Sequence, residues 1–155
     1  MSRAFVREPE GGEAFEDLPD RTLSPHHLVT PAGLARMDAE IEGLQQRLNA
    51  AKAADEKAEV ARLSRDLRYW SARRVSAELV PPPTDTAHVR FGARVTFERE
   101  DGRQQTYRIV GEDEADPAKG TISYVSPIAQ ALMGKEVGDV IPIGPTSAEI
   151  IEISL

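Results

Sequence analysis

The sequence predicts an α+β protein: an N-terminal antiparallel helical hairpin, packed as a coiled coil, followed by an antiparallel β domain with one short helix. Three observations carry this reading. Residues 31–80 contain no proline after Pro31 and no glycine after Gly43, and their large apolar residues recur at spacings of three and four. Pro81-Pro82-Pro83 ends that pattern abruptly, because proline cannot continue a helix. Beyond residue 86 the apolar residues alternate with polar ones in short runs separated by turn signals.

Composition sets the outer bounds. The chain has 155 residues, 26 acidic and 19 basic, for a net charge of -7, with 40% hydrophobic and 29% charged residues. This length suits one ordinary domain or two small ones, and the balance is that of a folded chain. No run approaches ~18 consecutive apolar residues, so no membrane span is expected. The start, Met1-Ser2-Arg3-Ala4-Phe5, has no apolar stretch after its base, so no secretory signal is expected and the expected location is the cytoplasm. Cysteine is missing, which removes disulfides, cysteine–zinc sites and thiol nucleophiles and fits a reducing compartment. His26, His27 and His88 are too few and too scattered for a zinc cluster. The acidic balance argues against nucleic acid as a direct, non-specific partner.

Charge divides the chain into thirds. Residues 1–30 hold six acids and three bases, residues 31–80 eight and nine, and residues 81–155 twelve and seven. Residues 1–29 read as an irregular arm, rich in Glu, Asp, Pro and Gly, with Phe5, Phe15, Leu18 and Leu23 available to pin it to a surface. Residues 30–80 read as the hairpin, 81–86 as a linker and 87–155 as the sheet domain.

Thr30-Pro31 opens the first helix: threonine caps free N–H groups and proline suits the first helical position. Leu34, Met37, Ile41, Leu44 and Leu48 then form one seam, and Val60, Leu63, Leu67 and Trp70 a second. The seams are out of register. Continuing the first gives Ala51, Asp55, Ala58, Arg62 and Arg65, which make no apolar stripe, so the chain is expected to reverse near residue 54. Leu48 would then face Val60, Ile41 face Leu67 and Met37 face Trp70. The turn has neither Gly nor Pro; Asp55 is the expected cap of the second helix, with Glu56 and Glu59 in its first turn. Arg62, Arg65, Arg68, Arg73 and Arg74 line the second arm, where pairing with Asp38, Glu40, Glu42 and Asp66 accounts for most of them.

In the last segment Val89, Phe91, Val95 and Phe97 alternate with polar residues as a half-buried strand does, and Asp101-Gly102 is a hairpin signal. Tyr107–Val110 is the returning strand, Thr121–Val125 a further one, and 140–143 and 149–153 the last two. Ser126-Pro127 starts a short helix with Ile128, Ala131 and Leu132 inward, and Gly134 stops it. The acidic run Glu112-Asp113-Glu114-Ala115-Asp116 reads as a solvated loop.

The order of hairpin, proline break and sheet resembles the bacterial Gre transcript-cleavage factors. Phe91-Gly92-Ala93-Arg94-Val95, Tyr107-Arg108-Ile109-Val110-Gly111-Glu112-Asp113-Glu114-Ala115-Asp116, Ile122-Ser123 and Ser126-Pro127-Ile128-Ala129-Gln130-Ala131-Leu132-Met133-Gly134-Lys135-Glu136-Val137-Gly138-Asp139 are similar, in order, to that family's carboxy-terminal domain. Val29-Thr30-Pro31-Ala32-Gly33-Leu34 is similar to the start of its first coil helix.

The resemblance implies an FK506-binding-protein-like C-terminal domain that docks on RNA polymerase at the rim of its secondary channel, and a coil that enters the channel. It implies docking residues Ser126, Pro127, Gln130 and Lys135 on the short helix. It implies that tip acids, here Asp55, Glu56 and Glu59, help hold a metal ion in the polymerase's own active site. Glu56 and Glu59 would be the ligands, magnesium shared with the polymerase the only cofactor, and the chain itself no enzyme. The partners implied are RNA polymerase, with indirect contact to DNA and RNA and no membrane; a monomer is expected. The sequence departs from the family at the coil, where each arm is shorter by roughly nine residues, about 13 Å of reach. The family's aspartate three residues before the first glutamate is here Ala53, and the run is Glu56-Lys57-Ala58-Glu59. A shortened coil is also a feature of the branch named regulators of nucleoside diphosphate kinase, so a non-cleaving competitor of full-length Gre factors is the favoured form. Outside this class stand a prolyl isomerase, suggested by the sheet domain's fold, and a protein adaptor.

Overall fold

The computed structural model describes residues 27–155. Phe5, Phe15, Leu18, Leu23 and His26 lie outside the described residues. Two compact units result, one holding Arg36–Ser76 and the other residues 27–35 together with Ala77–Leu155.

The first unit is the body of a helical hairpin. Helix α1 runs Pro31–Ala53 and α2 runs Lys57–Ser76. The seam residues meet as their spacing requires. Leu44, Leu48 and Ala51 of α1 and Leu63 of α2 are buried together, and Val60, Leu67 and Trp70 pack against them. Met37 is also buried. Each large side chain removed from water this way contributes about 1.5–3 kcal/mol before the entropy of ordering it. Arg74 reaches back to Asp38 on α1 at 2.7 Å.

The turn is closed differently from the expectation. Asp55 does not stand at the cap of α2, which begins at Lys57 with Glu56 before it; the Glu56 carbonyl accepts the first helical bond, from the Val60 N–H at 2.9 Å. Asp55 ends α1 instead. Its N–H donates to the Lys52 carbonyl at 3.2 Å and the Glu56 N–H to the Ala51 carbonyl at 3.0 Å, the paired bonds of a Schellman motif. That motif needs a left-handed residue, and Asp55 has φ 55°. Aspartate is one of the few non-glycine residues that adopt this conformation readily, which is why a reversal without Gly or Pro is possible.

The second unit is a five-stranded sheet in the order β5-β4-β3-β7-β6. Its strands are β3 (Arg94–Arg99), β4 (Gln104–Val110), β5 (Thr121–Ser123), β6 (Val140–Ile143) and β7 (Thr146–Ser154). Helix α3 (Pro127–Leu132) lies between β5 and β6 in sequence. β3–β4, β3–β7 and β6–β7 pair antiparallel, but β5 pairs with β4 in parallel, so the sheet is not wholly antiparallel as read from sequence. The ten residues after β4 loop over and return along it instead of making a hairpin.

Val89 and Phe91 are not in a strand, yet both are buried. Their segment runs past the end of α3, where the Val89 N–H donates to the Lys135 carbonyl at 2.8 Å and the Gly134 N–H to the Val89 carbonyl at 2.9 Å. The core gathers Val95, Phe97, Ile109, Ile122, Leu132, Ile141 and Ile150, with Phe91 edge-on to Tyr124 at 5.6 Å. α3 turns Ala129 and Leu132 fully inward, with Ile128 and Ala131 at the border, and Gly134 follows it at φ 80°.

Two short strands were not legible in the sequence. β1 (His27–Val29) and β2 (Ala77–Leu79) pair in parallel, His27 opposite Ala77 and Val29 opposite Leu79. Residues 27–29, assigned to the arm from sequence, are a strand, and the last residues assigned to the hairpin, 77–79, are extended.

Candidate functional site

At the hairpin tip, Asp55 and Glu56 are exposed and Glu59 is half-buried. Asp55 and Glu56 share the turn, and Glu59 stands on the first turn of α2. Glu59 is engaged by its own helix: Arg62, three residues on, donates Nε–H to its carboxylate at 3.1 Å and a second N–H to the other oxygen. That fork holds the Glu59 carboxyl below the usual carboxylate range. Asp66 lies 3.9 Å from Arg62 on the next turn. Lys52, Lys57 and Arg62 set three positive charges around Asp55, Glu56 and Glu59, so the tip is balanced and not acidic.

Among the described residues no group of three or more His, Cys, Asp or Glu stands close enough together to hold an ion. Of the two expected ligands, Glu59 faces a guanidinium and only Glu56 lacks such a partner, while the position of the missing aspartate is Ala53, the last residue of α1. A hard divalent cation prefers several oxygens and a net negative cage. The tip side chains by themselves do not fit that description.

The docking candidates form a second group, within the sheet unit. Ser126 is the cap of α3, its Oγ accepting from the Ala129 N–H at 3.3 Å, and Pro127 takes the first helical position. Gln130 is exposed but donates its side-chain N–H to the Tyr124 carbonyl at 2.9 Å, which bolts α3 to the end of β5. Lys135 is exposed just beyond Gly134. Pro127, Gln130 and Lys135 thus present polar and proline surface while Ala129 and Leu132 are held in the core.

A third cluster escaped sequence reasoning. Glu114, read as part of a solvated acidic loop, is buried. Its carboxylate accepts from the Thr30 N–H and the Gly111 N–H, each at 3.0 Å, and from the Thr30 hydroxyl. Thr30 Oγ1 in turn accepts from the Gly33 N–H at 3.0 Å, which is the helix cap foreseen for it. Next to it His27, fully buried, stands 3.3 Å from Asp113. The carboxylate fits because two glycines make room. A Cβ at Gly33 would lie 2.1 Å from the Glu114 carboxyl carbon, and one at Gly111 would lie 2.6 Å from the Leu28 carbonyl oxygen. The one sequence signal was in Gly111-Glu112-Asp113-Glu114, which places a glycine three residues before the acid that its N–H reaches.

Comparison with known proteins gives these features a context. Residues 84–155 match the family model described as "Transcription elongation factor, GreA/GreB, C-term". Over 148 residues the chain is 36% identical to the transcription elongation factor GreA of Ruegeria pomeroyi, covering 81% of this chain and 95% of that one. It is also 36% identical over 129 residues to GreB of Pseudomonas aeruginosa, covering 71% and 77%. The chain belongs to the GreA/GreB family of transcription elongation factors. Among solved structures, Gfh1 of Thermus thermophilus is similar at 21% identity, covering 84% of this chain and 99% of that one, with a TM-score of 0.41. No described helix is long and apolar enough to cross a membrane.

Proposed function

We propose that this chain binds RNA polymerase at its secondary channel, docking through the exposed face of α3 and inserting the short hairpin. In this reading it modulates elongation by occupying the channel and is not an efficient stimulator of RNA cleavage. Family membership supports the polymerase as partner. The observation that carries the non-cleaving form is the engagement of Glu59 by Arg62 where Ala53 replaces the expected aspartate. Of the two expected ligands only Glu56 is unpaired, which is a poor contribution to a shared magnesium site. The brevity of the hairpin supports the same reading: α1 has 23 residues, about 35 Å at 1.5 Å per residue.

Two experiments test it. Immobilised chain should retain polymerase, and Lys135→Glu, an exposed change outside the core, should weaken retention about tenfold or more; absence of polymerase would end the whole reading. In stalled elongation complexes the chain should compete with a full-length Gre factor while releasing little short RNA by itself. Robust release that vanishes in a Glu56→Ala, Glu59→Ala variant would replace the channel-occupying form with a cleavage factor. The isomerase alternative is disfavoured by packing. Phe91 with Tyr124 and Phe97 with Tyr107 are paired in or against the core, so those rings are not arranged around a peptide pocket.

A further inference from the structure

One face of the five-stranded sheet is spent on the core, where Val95, Phe97 and Ile150 pack with Ala129 and Leu132 of α3. Side chains alternate along a strand, so Arg94, Thr96 and Glu98 of β3 stand on the opposite, outer face. Their partners in register stand there with them. Arg94 is opposite Arg108 on β4, Thr96 is opposite Thr106 on β4 and Glu152 on β7, and Glu98 is opposite Gln104 on β4 and Glu149 on β7. The outer face is therefore ordered in rows: arginines at one end, threonines in the middle, glutamates at the other end. Arg94, Thr106, Glu149 and Glu152 are exposed. Each end row sets like charges directly opposite one another, which destabilises a sheet on its own. Among the described residues no ion pair relieves them. Glu98 accepts from the Gln104 side chain at 3.2 Å, and Arg108 donates to the Gly92 carbonyl at 2.6 Å.

We propose that this outer face pairs with the same face of a second copy, as a weak two-fold dimer in place of the monomer expected from sequence. A half-turn about an axis that lies between the two faces and crosses β3 at Thr96 reverses the strands. The Arg94 row of each copy then lies over the Glu98 row of the other, the isologous contact of a two-fold pair. An axis along the strands would set acid on acid, so the charges select the reversed arrangement. Arg94 and Glu98 are four residues apart, about 13 Å along the strand, which exceeds the Debye length of about 8 Å at physiological salt. Each row therefore answers to the row above it and not to the far end of its own face. The middle row is short, with the Thr96 and Thr106 hydroxyls bonded to each other at 2.8 Å, and lets the faces approach. Its third member, Glu152, meets its own counterpart near the axis, which opposes the pairing. Area also limits it. Five strands about 4.8 Å apart and on average about six residues long present about 450 Å² a side, about 900 Å² for the pair, in the range of weak, transient contacts. The pairing is independent of the polymerase reading, because α3 lies on the other face of the sheet and stays uncovered.

Sedimentation equilibrium of the full chain from about 20 to 500 μM should show reversible dimers, since association follows mass action. The dissociation constant should rise about tenfold between about 50 and 500 mM salt, because exposed charges are screened. Glu149→Lys should act in two directions. Within one copy it turns the pair with Glu98 attractive, so dilute protein should melt at a higher temperature. Between copies it sets a cation under Arg94, so the dissociation constant should rise about tenfold or more. General repulsion between two acidic chains predicts the reverse, a tighter dimer. Glu152→Gln should tighten the dimer a few-fold by removing the like charges at the axis. Arg94→Glu alone and the Glu98→Lys, Glu149→Lys double variant alone should each stay monomeric, and an equal mixture of the two should pair. Melting curves separate loss of pairing from loss of fold. A chain that remains monomeric at about 500 μM and low salt would overturn the proposal, as would a Glu149→Lys variant that associates more tightly or a mixture that fails to pair.

Discussion

The Glu114 carboxylate and the backbone of Thr30, 84 positions apart in the chain, are joined by a 3.0 Å hydrogen bond that ties the start of α1 to the loop after β4. The Gly111 N–H and the Thr30 hydroxyl donate to the same buried carboxylate. Glu114→Ala removes the acceptor and leaves two partly buried N–H groups without their partner. The expected loss is about 2–6 kcal/mol of unfolding free energy, at 1–3 kcal/mol for each stranded group. Urea unfolding of the two proteins checks it; a change within a few tenths of a kcal/mol would mean that water replaces the carboxylate.

The glycines facing Glu114 should behave differently from each other. Gly33→Ala pushes its methyl into the Glu114 carboxylate alone, a side chain, whereas Gly111→Ala meets the Leu28 carbonyl oxygen, which is backbone, at 2.6 Å as well as the Glu114 carboxylate at 2.7 Å. Overpacking of this kind costs about 1–3 kcal/mol. In a double-mutant cycle with Glu114→Ala, most of the cost at Gly33 should vanish while that at Gly111 largely persists. Additive behaviour at both positions would show that the crowding lies elsewhere.

How far the sequence foretold this molecule depends on the length scale of each signal. The hairpin was legible because Leu34–Leu48 and Val60–Trp70 repeat their spacing over several turns, and a long period is hard to produce by accident. β1 and β2 were not, since three residues such as His27–Val29 carry no measurable alternation and their pairing partner is fifty residues away. The parallel β5 was missed for a related reason: a turn signal announces where a chain bends, not which side of β4 it returns to. The Asp55 cap was misplaced because aspartate serves both at a helix start and in a left-handed helix end, and only geometry separates the two. Glu114 was hidden among Glu112, Asp113 and Asp116, where composition describes the run and says nothing of the one member that turns inward.

Asp55 offers a direct test of the left-handed assignment. Glycine adopts φ 55° without a Cβ penalty, so Asp55→Gly should leave stability unchanged or raise it by up to about 1 kcal/mol. Asp55→Val, β-branched, should lower it by about 1–2 kcal/mol. Thermal melts of the three proteins rank them, and a glycine variant less stable than the valine one would refute the Schellman closure. The substitution also removes one tip acid without disturbing Glu56 or Glu59.

Two surface carboxyls should titrate low, each for a local reason. Asp101 is held down first by the Arg103 N–H at 3.0 Å and then by the Arg103 side chain at 2.7 Å, both in the tight turn between β3 and β4. Glu59 is held down by the Arg62 fork. Since each folded-state pKa lies below the unfolded one, the stabilisation is present above the ordinary carboxylate pKa and is lost as pH falls through the lowered value. NMR titration should place both below reference peptides. Arg62→Gln should return Glu59 to the usual range, whereas Arg103→Gln should return Asp101 only part of the way, because its backbone N–H remains. High salt should weaken the Glu59 shift more than the Asp101 shift, for the same reason: a charge pair in water is screened, and a backbone hydrogen bond is not. Equal salt sensitivity at the two sites would show that the Asp101 turn is held by charge alone.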